Sequence, residues 1–321
     1  MRELAHLSGV SIATVSRALN HDERVSEATR DRVLSVARSS GYRVNRAARR
    51  LKSGQTRVIG FVLERSVRSD SFARQLLLGL TDALAERDYH LVVKAADASD
   101  PMRAVHYFAD PQVADGVVLT HTQPRDPRAE WLVGQGTPCI SHGQTGFAHD
   151  WVDFDNRRFA QLASEKLRQQ GRDRQALIAP PAGLNYAQLL QQGFRACAGP
   201  DGRIIDVDSS QAPEQIYQAI LAVGCQFDGW ILPDESLLMP ALAALRGLGL
   251  APGRDVEIVV KKFSSQVDFA GVPLWVCEES LYAAGLQMGQ QVLQRIEMPS
   301  ADPRQHLIAP EIHYRSMHDG I

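Results

Sequence analysis

The apolar positions of the first 40 residues recur at helical spacing, which predicts three short helices. The helices span residues 3–8, 11–20 and 27–40. Their inward-facing positions are small or branched apolar residues: Val15, Ala18, Leu19, Val33, Val36 and Ala37. Gly9 can take a positive φ at the first turn, and Ser11 and Ser26 can cap the helices that follow them. The pattern predicts an all-α three-helix helix-turn-helix unit.

From Thr56 onward, continuous apolar runs of strand length alternate with helical patterns. The nine strand-like runs are Val58–Leu63, Leu91–Ala95, Gly116–Thr120, Pro138–Ser141, Ala176–Ala179, Gly202–Val207, Trp230–Leu232, Val256–Val260 and Leu274–Cys277. Runs without polar alternation are typical of parallel strands that helices cover on both faces. Nine strands exceed what one open sheet usually needs. We therefore expect an α/β core of two doubly wound parallel-sheet lobes.

The net charge of the chain conceals an uneven distribution. The 321 residues carry a formal charge of −2. Residues 1–57 contain 12 of the 35 Lys and Arg residues but 5 of the 37 Asp and Glu residues, a net charge of +7. Residues 58–321 hold the other 23 and 32, a net charge of −9. A basic segment joined to an acidic body suggests a domain that binds a polyanion, the alternative being a cluster of solvated arginines.

Several classes of protein are disfavoured by the composition. The sequence has no run of about 18 apolar residues and no signal-peptide pattern in residues 1–20, so we expect no membrane contact. Four widely spaced cysteines argue against a zinc site or a disulfide framework and fit a reducing cytoplasm. The sequence shows no dinucleotide or phosphate-binding glycine motif and no catalytic triad. It therefore predicts no enzyme, cofactor or metal.

The outward side of the second helix carries short polar residues and one arginine, a composition suited to the major groove of DNA. Arg17 can make a bidentate contact with guanine, and Ile12 or Ala13 can touch a thymine methyl group. The residues suited to phosphates or base edges are Ser11, Thr14, Ser16 and Asn20. The alternative is a plain three-helix bundle in which Arg17 is merely solvated.

Residues 3–54 resemble the DNA-binding head and hinge of the LacI/GalR family of bacterial repressors. The matching positions are Gly9-Val10-Ser11, Thr14-Val15-Ser16-Arg17, Leu19-Asn20, Val25-Ser26, Thr29-Arg30, Gly41-Tyr42, Asn45, Ala48 and Leu51. The resemblance implies a head over 1–44 and a hinge helix over 45–55, with Leu51 as a minor-groove wedge between base pairs. The hinge residues that it places against DNA are Asn45, Ala48, Arg49 and Leu51. The alternative is a flexible basic linker, and Val44 stands where the family usually has proline.

The rest of the chain resembles the effector-binding core of the same family, which is similar to periplasmic sugar-binding proteins. The implied lobes are 56–156 with 279–312, and 157–278 with 313–321. The effector cleft is expected at the carboxyl ends of the strands. The implied cleft residues are Ser71, Phe72, Thr120, Thr122, His142, Gln144, Asn185, Tyr186, Gln188, Asp234 and Lys262. Phe72 and Tyr186 can stack on a sugar ring, although a core position for Phe72 is the simpler alternative.

Two departures from the family pattern bear on the effector. Leu190 stands where many members have an arginine, and Val260–Phe263 replaces a Gly-Phe-Asp-Asp run. The chain resembles a subgroup of the family that is linked to α-glucosides and other oligosaccharides. The resemblance lies in Ser141–Gln144, Val152–Asn156, Ala179–Pro181 and Tyr186. These motifs favour a neutral carbohydrate. Lys262 leaves an acidic sugar or a phosphate open as the alternative.

The resemblance implies a homodimeric repressor that binds double-stranded operator DNA of pseudo-palindromic sequence in the bacterial cytoplasm. The sequence carries no heptad tail after the last core strand, so a dimer is expected rather than a tetramer. A sugar-type effector is expected to relieve repression of carbohydrate-utilisation genes. The alternatives are co-repression by a phosphorylated or acidic sugar, and a stand-alone sugar receptor.

Leu51→Ala is expected to weaken operator bending and specific affinity, because alanine is too short to wedge between base pairs. Gel mobility of circularly permuted operator fragments measures the bend, and the thermal midpoint of the free protein serves as the control for folding. Unchanged bending would contradict the wedge.

Overall fold

The computed structural model describes residues 1–19, 22, 24–42, 54–64, 70–97, 99–179, 183–207 and 213–316. The chain divides into two compact units, Met1–Gln55 and Thr56–Ile321. The predicted DNA contacts that lie outside the described residues are Asn20, Asn45, Ala48, Arg49 and Leu51. Within the described residues, no helix is long and apolar enough to cross a bilayer.

Three helices enclose a small apolar core in the first unit. They are α1 (Arg2–Ser8), α2 (Ile12–Leu19) and α3 (Glu27–Ser39). The buried apolar residues are Leu4, Val15, Ala18, Val25, Val33 and Ala37. Gly9 ends α1 with a φ of 65°, and Ser11 Oγ accepts from the Thr14 amide at 3.0 Å. The predicted turn and the predicted cap at Ser11 are therefore confirmed.

Ser26 differs from Ser11 in that its side chain accepts no hydrogen bond from a backbone amide. It directly precedes α3, but its Oγ donates to Thr29 Oγ1 at 2.9 Å and makes no capping bond to a backbone amide. The prediction of a side-chain cap at Ser26 is wrong. Ser11 makes the equivalent contact with the Thr14 hydroxyl, at 2.9 Å, and still accepts from the Thr14 amide.

The first of two six-stranded sheets in the second unit is entirely parallel. Its strands are β1 (Val58–Leu63), β2 (His90–Ala95), β3 (Gly116–Leu119), β4 (Cys139–His142), β5 (Asp150–Phe154) and β11 (Gln305–Ile308). The strand order is β11-β5-β4-β3-β1-β2. The helices of this lobe are α4 (Asp70–Ala85), α5 (Arg103–Ala109), α6 (Pro127–Gly134) and α11 (Leu281–Glu297).

The second sheet is parallel except at one edge. Its strands are β6 (Gln175–Ala179), β7 (Arg203–Asp206), β8 (Gly229–Leu232), β9 (Glu257–Lys262), β10 (Leu274–Glu278) and β12 (Ile312–Arg315). The order is β12-β10-β9-β8-β6-β7, and β12 runs antiparallel to β10. The helices of this lobe are α7 (Asn156–Gln169), α8 (Asn185–Cys197), α9 (Pro213–Val223) and α10 (Leu238–Gly247). Short 3-10 turns occupy 224–226, 235–237 and 265–269.

The predicted architecture of two doubly wound lobes is confirmed, with strands that the apolar pattern did not reveal. The additional strands are β5, β11 and β12. Both β11 and β12 lie at sheet edges and span four residues each, and they mix polar with apolar side chains that are exposed or half-buried, so they form no apolar run. Strand β5 is fully buried despite Asp150 and Asp153, because partners elsewhere in the chain bind both carboxylates.

Helices α4 and α11 cross at very short range on one face of the first sheet. A Cβ at Gly79 would overlap the carbonyl oxygen of Tyr282, and a Cβ at Gly285 would overlap that of Leu76. Glycine at both positions lets the two backbones meet. This contact joins α11, which follows the second-lobe strand β10, to the first lobe.

A buried histidine fixes the loop that leads out of β4. The Ser141 hydroxyl donates to the Gly143 carbonyl at 2.6 Å, so the Ser141 oxygen accepts from His149 Nε2–H at 2.7 Å. In the neutral ring the other nitrogen, Nδ1, lies 3.1 Å from the Thr145 hydroxyl oxygen. Burial lowers the pKa of His149 and favours this neutral form.

Folding stability is therefore expected to fall as the pH drops below about 6.5. In that range the unfolded chain takes up a proton that the folded His149 resists. His149→Gln, which cannot titrate, should make the urea midpoint less dependent on pH between 7.5 and 5.5. The control is His306→Gln, at an exposed position of β11, which should keep the wild-type dependence. An equally steep dependence in His149→Gln would exclude His149 as the source.

Candidate DNA-binding face and effector cleft

Helix α2 presents the predicted DNA-contacting residues on the side away from its buried Val15 and Ala18. Ser11, Ala13 and Arg17 are exposed, and Ile12 is 46 % exposed although it is a large apolar residue. Thr14 and Ser16 are half-buried. An exposed isoleucine beside an arginine on a short helix is the combination that can read base edges in a major groove.

The segment between α2 and α3 is held by charged side chains. Arg30 of α3 donates to the backbone carbonyls of Asp22 and Val25 at 3.2 and 3.3 Å. Arg24 forms a bidentate pair with Asp22 at 2.9 and 2.7 Å, and its hydrogen bonds lower the pKa of that carboxyl group. The Arg30 bonds join Asp22 and Val25 to α3, and the Arg24–Asp22 pair is local.

An aromatic cluster joins the two lobes of the second unit at the carboxyl ends of their strands. Phe72 of α4 contacts His121 and His142 edge-on, with ring centroids 5.4 and 5.3 Å apart. Phe263, which follows β9 in the other lobe, meets Phe72 at 6.1 Å. Phe72 is therefore both half-buried and placed at the cleft.

Hydrogen bonds cross the cleft beside this cluster. The Asn185 amide N–H donates to the Thr122 carbonyl at 2.8 Å, and Asn185 Nδ2 donates to the Gln144 carbonyl at 2.8 Å. The Thr122 hydroxyl also donates to the Gln144 carbonyl, at 3.0 Å. The Gln144 side chain turns inward and donates to Asp153 at 3.1 Å. Three of the predicted effector residues thus bind one another across the lobes.

A buried ion pair lies beneath the aromatic cluster. Lys261 Nζ is 3.0 Å from Glu279 and 2.7 Å from Asn156 Oδ1, and the side chains of Lys261 and Glu279 are 5 % and 4 % exposed. His142 Nε2 lies 3.6 Å from Glu279 and has no hydrogen-bond partner among the described atoms. Burial raises the pKa of nearby Asp153, a shift that His142 opposes. The ion pair leaves no net charge on Lys261 and Glu279 together.

Lys262 points to the opposite side of β9 from Lys261. It pairs with Asp268 at 3.0 Å, and Arg315 binds the same carboxylate at 2.8 Å. Glu278 lies 3.9 Å from Lys262 Nζ. The charge of Lys262 is therefore compensated within the second lobe.

The other predicted cleft residues occupy varied positions. Asp234 accepts from the Ser236 amide at 2.8 Å, and burial raises its pKa. Thr120 is buried, with its hydroxyl 3.1 Å from His121 Nδ1. Tyr186 and Gln188 lie half-buried in the first turns of α8. The side chain of Ser71 lies outside the described residues.

Lys261, Glu279 and Phe263 were not among the predicted site residues. A signal for them was present, because two lysines end one apolar strand and two glutamates follow the next. In the structure β9 and β10 are parallel neighbours, and Glu278 is in register with Lys262. Opposite charges at matching ends of adjacent parallel strands are expected to pair.

Three comparisons place this chain among known proteins. Residues 1–45 match the family profile "Bacterial regulatory proteins, lacI family". The chain is 30 % identical to the HTH-type transcriptional regulator AglR of Rhizobium meliloti (strain 1021), over 98 % of this chain and 93 % of the relative. A transcriptional regulator CelR–cellobiose complex is similar in structure, with a TM-score of 0.71 at 24 % identity over 97 % of both chains.

A second solved structure is the lac repressor dimer bound to operator and the anti-inducer ONPF. Its TM-score is 0.79 at 20 % identity, over 98 % of this chain and 97 % of that chain. At such identities both solved structures establish the shared fold.

Lys261→Met is expected to destabilise the protein by about 3 kcal/mol, because Glu279 would be left buried without its counter-charge. The double variant Lys261→Met with Glu279→Gln should lose less than the sum of the single variants. Urea unfolding measures both. The matched control is Lys262→Met, whose partner Asp268 keeps Arg315, so its loss should be smaller. Equal losses at Lys261 and Lys262 would contradict the assignment of the buried pair.

Proposed function

The chain belongs to the LacI family of bacterial regulatory proteins, and we propose that it represses carbohydrate-utilisation genes until a sugar-type effector binds between its lobes. It is a DNA-binding transcriptional regulator. The observation that carries this function is a helix-turn-helix fold with an exposed Arg17 face, in a chain that matches a transcriptional regulator over almost its full length.

The DNA-binding step follows from charge and shape. The +7 charge of residues 1–57 neutralises phosphates and releases counterions, whereas the −9 body is repelled from the duplex. Arg17, Ile12 and Ala13 select the bases. In the proposed homodimer two copies of α2 read the half-sites of a pseudo-palindrome, and the segment 45–55 forms the hinge in the minor groove.

The chemistry of the cleft favours a neutral sugar. Phe72 and Phe263 offer ring faces and edges for stacking, and Asp234 supplies a carboxylate for hydroxyl recognition. A sugar that used the amide donors of Gln144 or Asn185 would displace their bonds to Asp153 and to the Gln144 carbonyl. At the end of β9, Lys261 pairs with Glu279, and Lys262 shares Asp268 with Arg315 and lies 3.9 Å from Glu278. An acidic or phosphorylated sugar would have to compete with these carboxylates for the two described lysines. The cellobiose complex of the structurally similar CelR agrees with a neutral saccharide.

The alternatives have less support. Co-repression by a phosphorylated sugar bound through these lysines would require Lys261 to leave the buried Glu279 or Lys262 to leave the half-buried Asp268. A stand-alone sugar receptor would not use the helix-turn-helix unit. We infer no catalytic role, since the relatives are transcriptional regulators.

The proposed mechanism is a linkage between two sites. The sugar changes the relative position of the lobes, the paired hinges lose their register, and operator affinity falls. A coupling free energy of about 1–3 kcal/mol is typical of such systems.

Binding of the chain to DNA from its own upstream region should show a steep negative dependence on salt. Arg17→Ala should lose about 1–3 kcal/mol of discrimination between operator and random DNA while it retains nonspecific binding. Fluorescence anisotropy over a range of salt concentrations measures both. The control is Arg38→Ala, an exposed cation of α3 outside the recognition helix, which should keep operator preference.

The same assay tests the effector. Maltose, cellobiose and raffinose are compared with glucose 6-phosphate, and at least one neutral sugar should lower operator affinity and raise the thermal midpoint of the free protein. A response to the phosphate ester alone would overturn the neutral-sugar assignment. A flat salt slope without operator preference would overturn the regulator itself.

A further inference from the structure

A buried arginine organises the rim of the cleft on the first lobe. Arg128, in the first turn of α6, is 5 % exposed. Its Nε and Nη2 donate to the two oxygens of Asp126 at 3.0 and 2.7 Å, and its Nη1 donates to Glu64 just after β1. The guanidinium therefore links Asp126, at the start of α6, to Glu64, at the end of β1.

The same guanidinium binds the backbone where β3 leaves the sheet. Nη2 donates to the carbonyl oxygens of Thr120 and His121 at 3.0 and 3.1 Å. His121 has a φ of 53°, a left-handed conformation that is uncommon for a residue with a side chain. Asp126 completes the loop by accepting from the Gln123 amide at 3.1 Å. The planar fork of Arg128 thus stabilises a strained turn and satisfies its carbonyl groups.

The next residue along this turn binds the other lobe. The Thr122 carbonyl is the acceptor for the Asn185 amide at the start of α8. The Thr122 hydroxyl and the Asn185 side chain converge on the Gln144 carbonyl. We call Thr122, Gln144 and Asn185 the interlobe latch. The Thr122 carbonyl of this latch directly follows, in sequence, the Thr120 and His121 carbonyls that Arg128 binds.

We propose that Arg128 is a positioning residue for the effector response. By fixing residues 120–123 it holds the Thr122 carbonyl where Asn185 can bind it, and so sets how readily the two lobes close. Arg128 acts through the latch and does not touch the effector. The inference rests on the proposed function in one respect: it takes lobe closure as the step that the effector controls.

Arg128→Lys is the test variant. Lysine keeps the positive charge and can still neutralise Asp126, but one ammonium group cannot reach two carboxylates and two carbonyls together. Hydrogen exchange of the Asn185 amide in the effector-free protein should become about tenfold faster, the size expected for loss of a well-formed hydrogen bond. Mass spectrometry with fragmentation that resolves Asn185 from Tyr186 measures the rate.

Arg295→Lys is the matched control, because Arg295 has the same kind of surroundings at the opposite end of the sheet. It binds the buried Asp150 carboxylate through Nε and Nη2 at 2.8 and 2.9 Å. It also donates to the backbone carbonyls of Pro299, Ala301 and Asp302. Its substitution should lower the thermal midpoint comparably and leave exchange at Asn185 unchanged.

A faster rate at Asn185 in Arg128→Lys alone supports the proposal. Equal rates in both variants would overturn it. A change confined to the Gln123 and Arg128 amides, which bind Asp126, would also overturn it and leave Arg128 a purely structural residue.

A second variant keeps the proposal testable if Arg128→Lys does not fold. Glu64→Gln is isosteric and weakens only one partner of Arg128, so a smaller increase at Asn185 is expected, and no increase would count against the proposal. These measurements use neither sugar nor DNA. Failure of the latch would therefore leave the proposed function standing, and absence of a sugar response would leave the latch standing.

Discussion

A buried positive charge lies where the two lobes meet, and its neutralisation constrains the residues around it. Lys261 is near the end of a second-lobe strand, and Glu279 begins the segment that leads back to the first lobe. Removal of one partner from such a pair costs about 3–5 kcal/mol, so Glu279 and Asn156 must stay close to Lys261. His142 brings the rim of the first lobe to the same carboxylate. The crossing between the lobes is thus defined by electrostatics as well as by the backbone.

Two arginines extend the same physical rule to both ends of the first sheet. Arg128 and Arg295 each form a bidentate pair with a buried aspartate and donate hydrogen bonds to the backbone carbonyls of an irregular loop. A loop that packs inside the protein must have its polar backbone groups satisfied, and a guanidinium can serve several at once. At the carboxyl ends of the strands, the loop held in this way carries the contact to the other lobe. At the amino ends the loop held in this way connects α11 to β11.

The two halves of the proposed mechanism rest on different kinds of contact. The DNA-binding face needs only helices close together in sequence, whose small core includes Val15 and Val33. The cleft instead combines Phe72, Gln144, Asn185 and Phe263, which span almost 200 residues of sequence. Substitutions at the carboxyl ends of the strands can therefore change which effector binds without altering the DNA-binding helices.

The sequence by itself determined the helix-turn-helix unit and the two parallel-sheet lobes. Capping at Ser11, the turn at Gly9 and continuous apolar strands are local signals, and they were sufficient. Only the tertiary structure decided which of two adjacent lysines is buried, because neighbouring strand residues face opposite sides and the partner carboxylate of Lys261 comes from Glu279, directly after the adjacent strand β10. It also decided that the Ser26 hydroxyl binds that of Thr29 and that β11 and β12 form the edge strands of the two sheets. The contact of Arg128 with the backbone at the rim of the cleft was likewise visible only in the structure. These features depend on groups brought together by folding, and no local pattern encodes such distances.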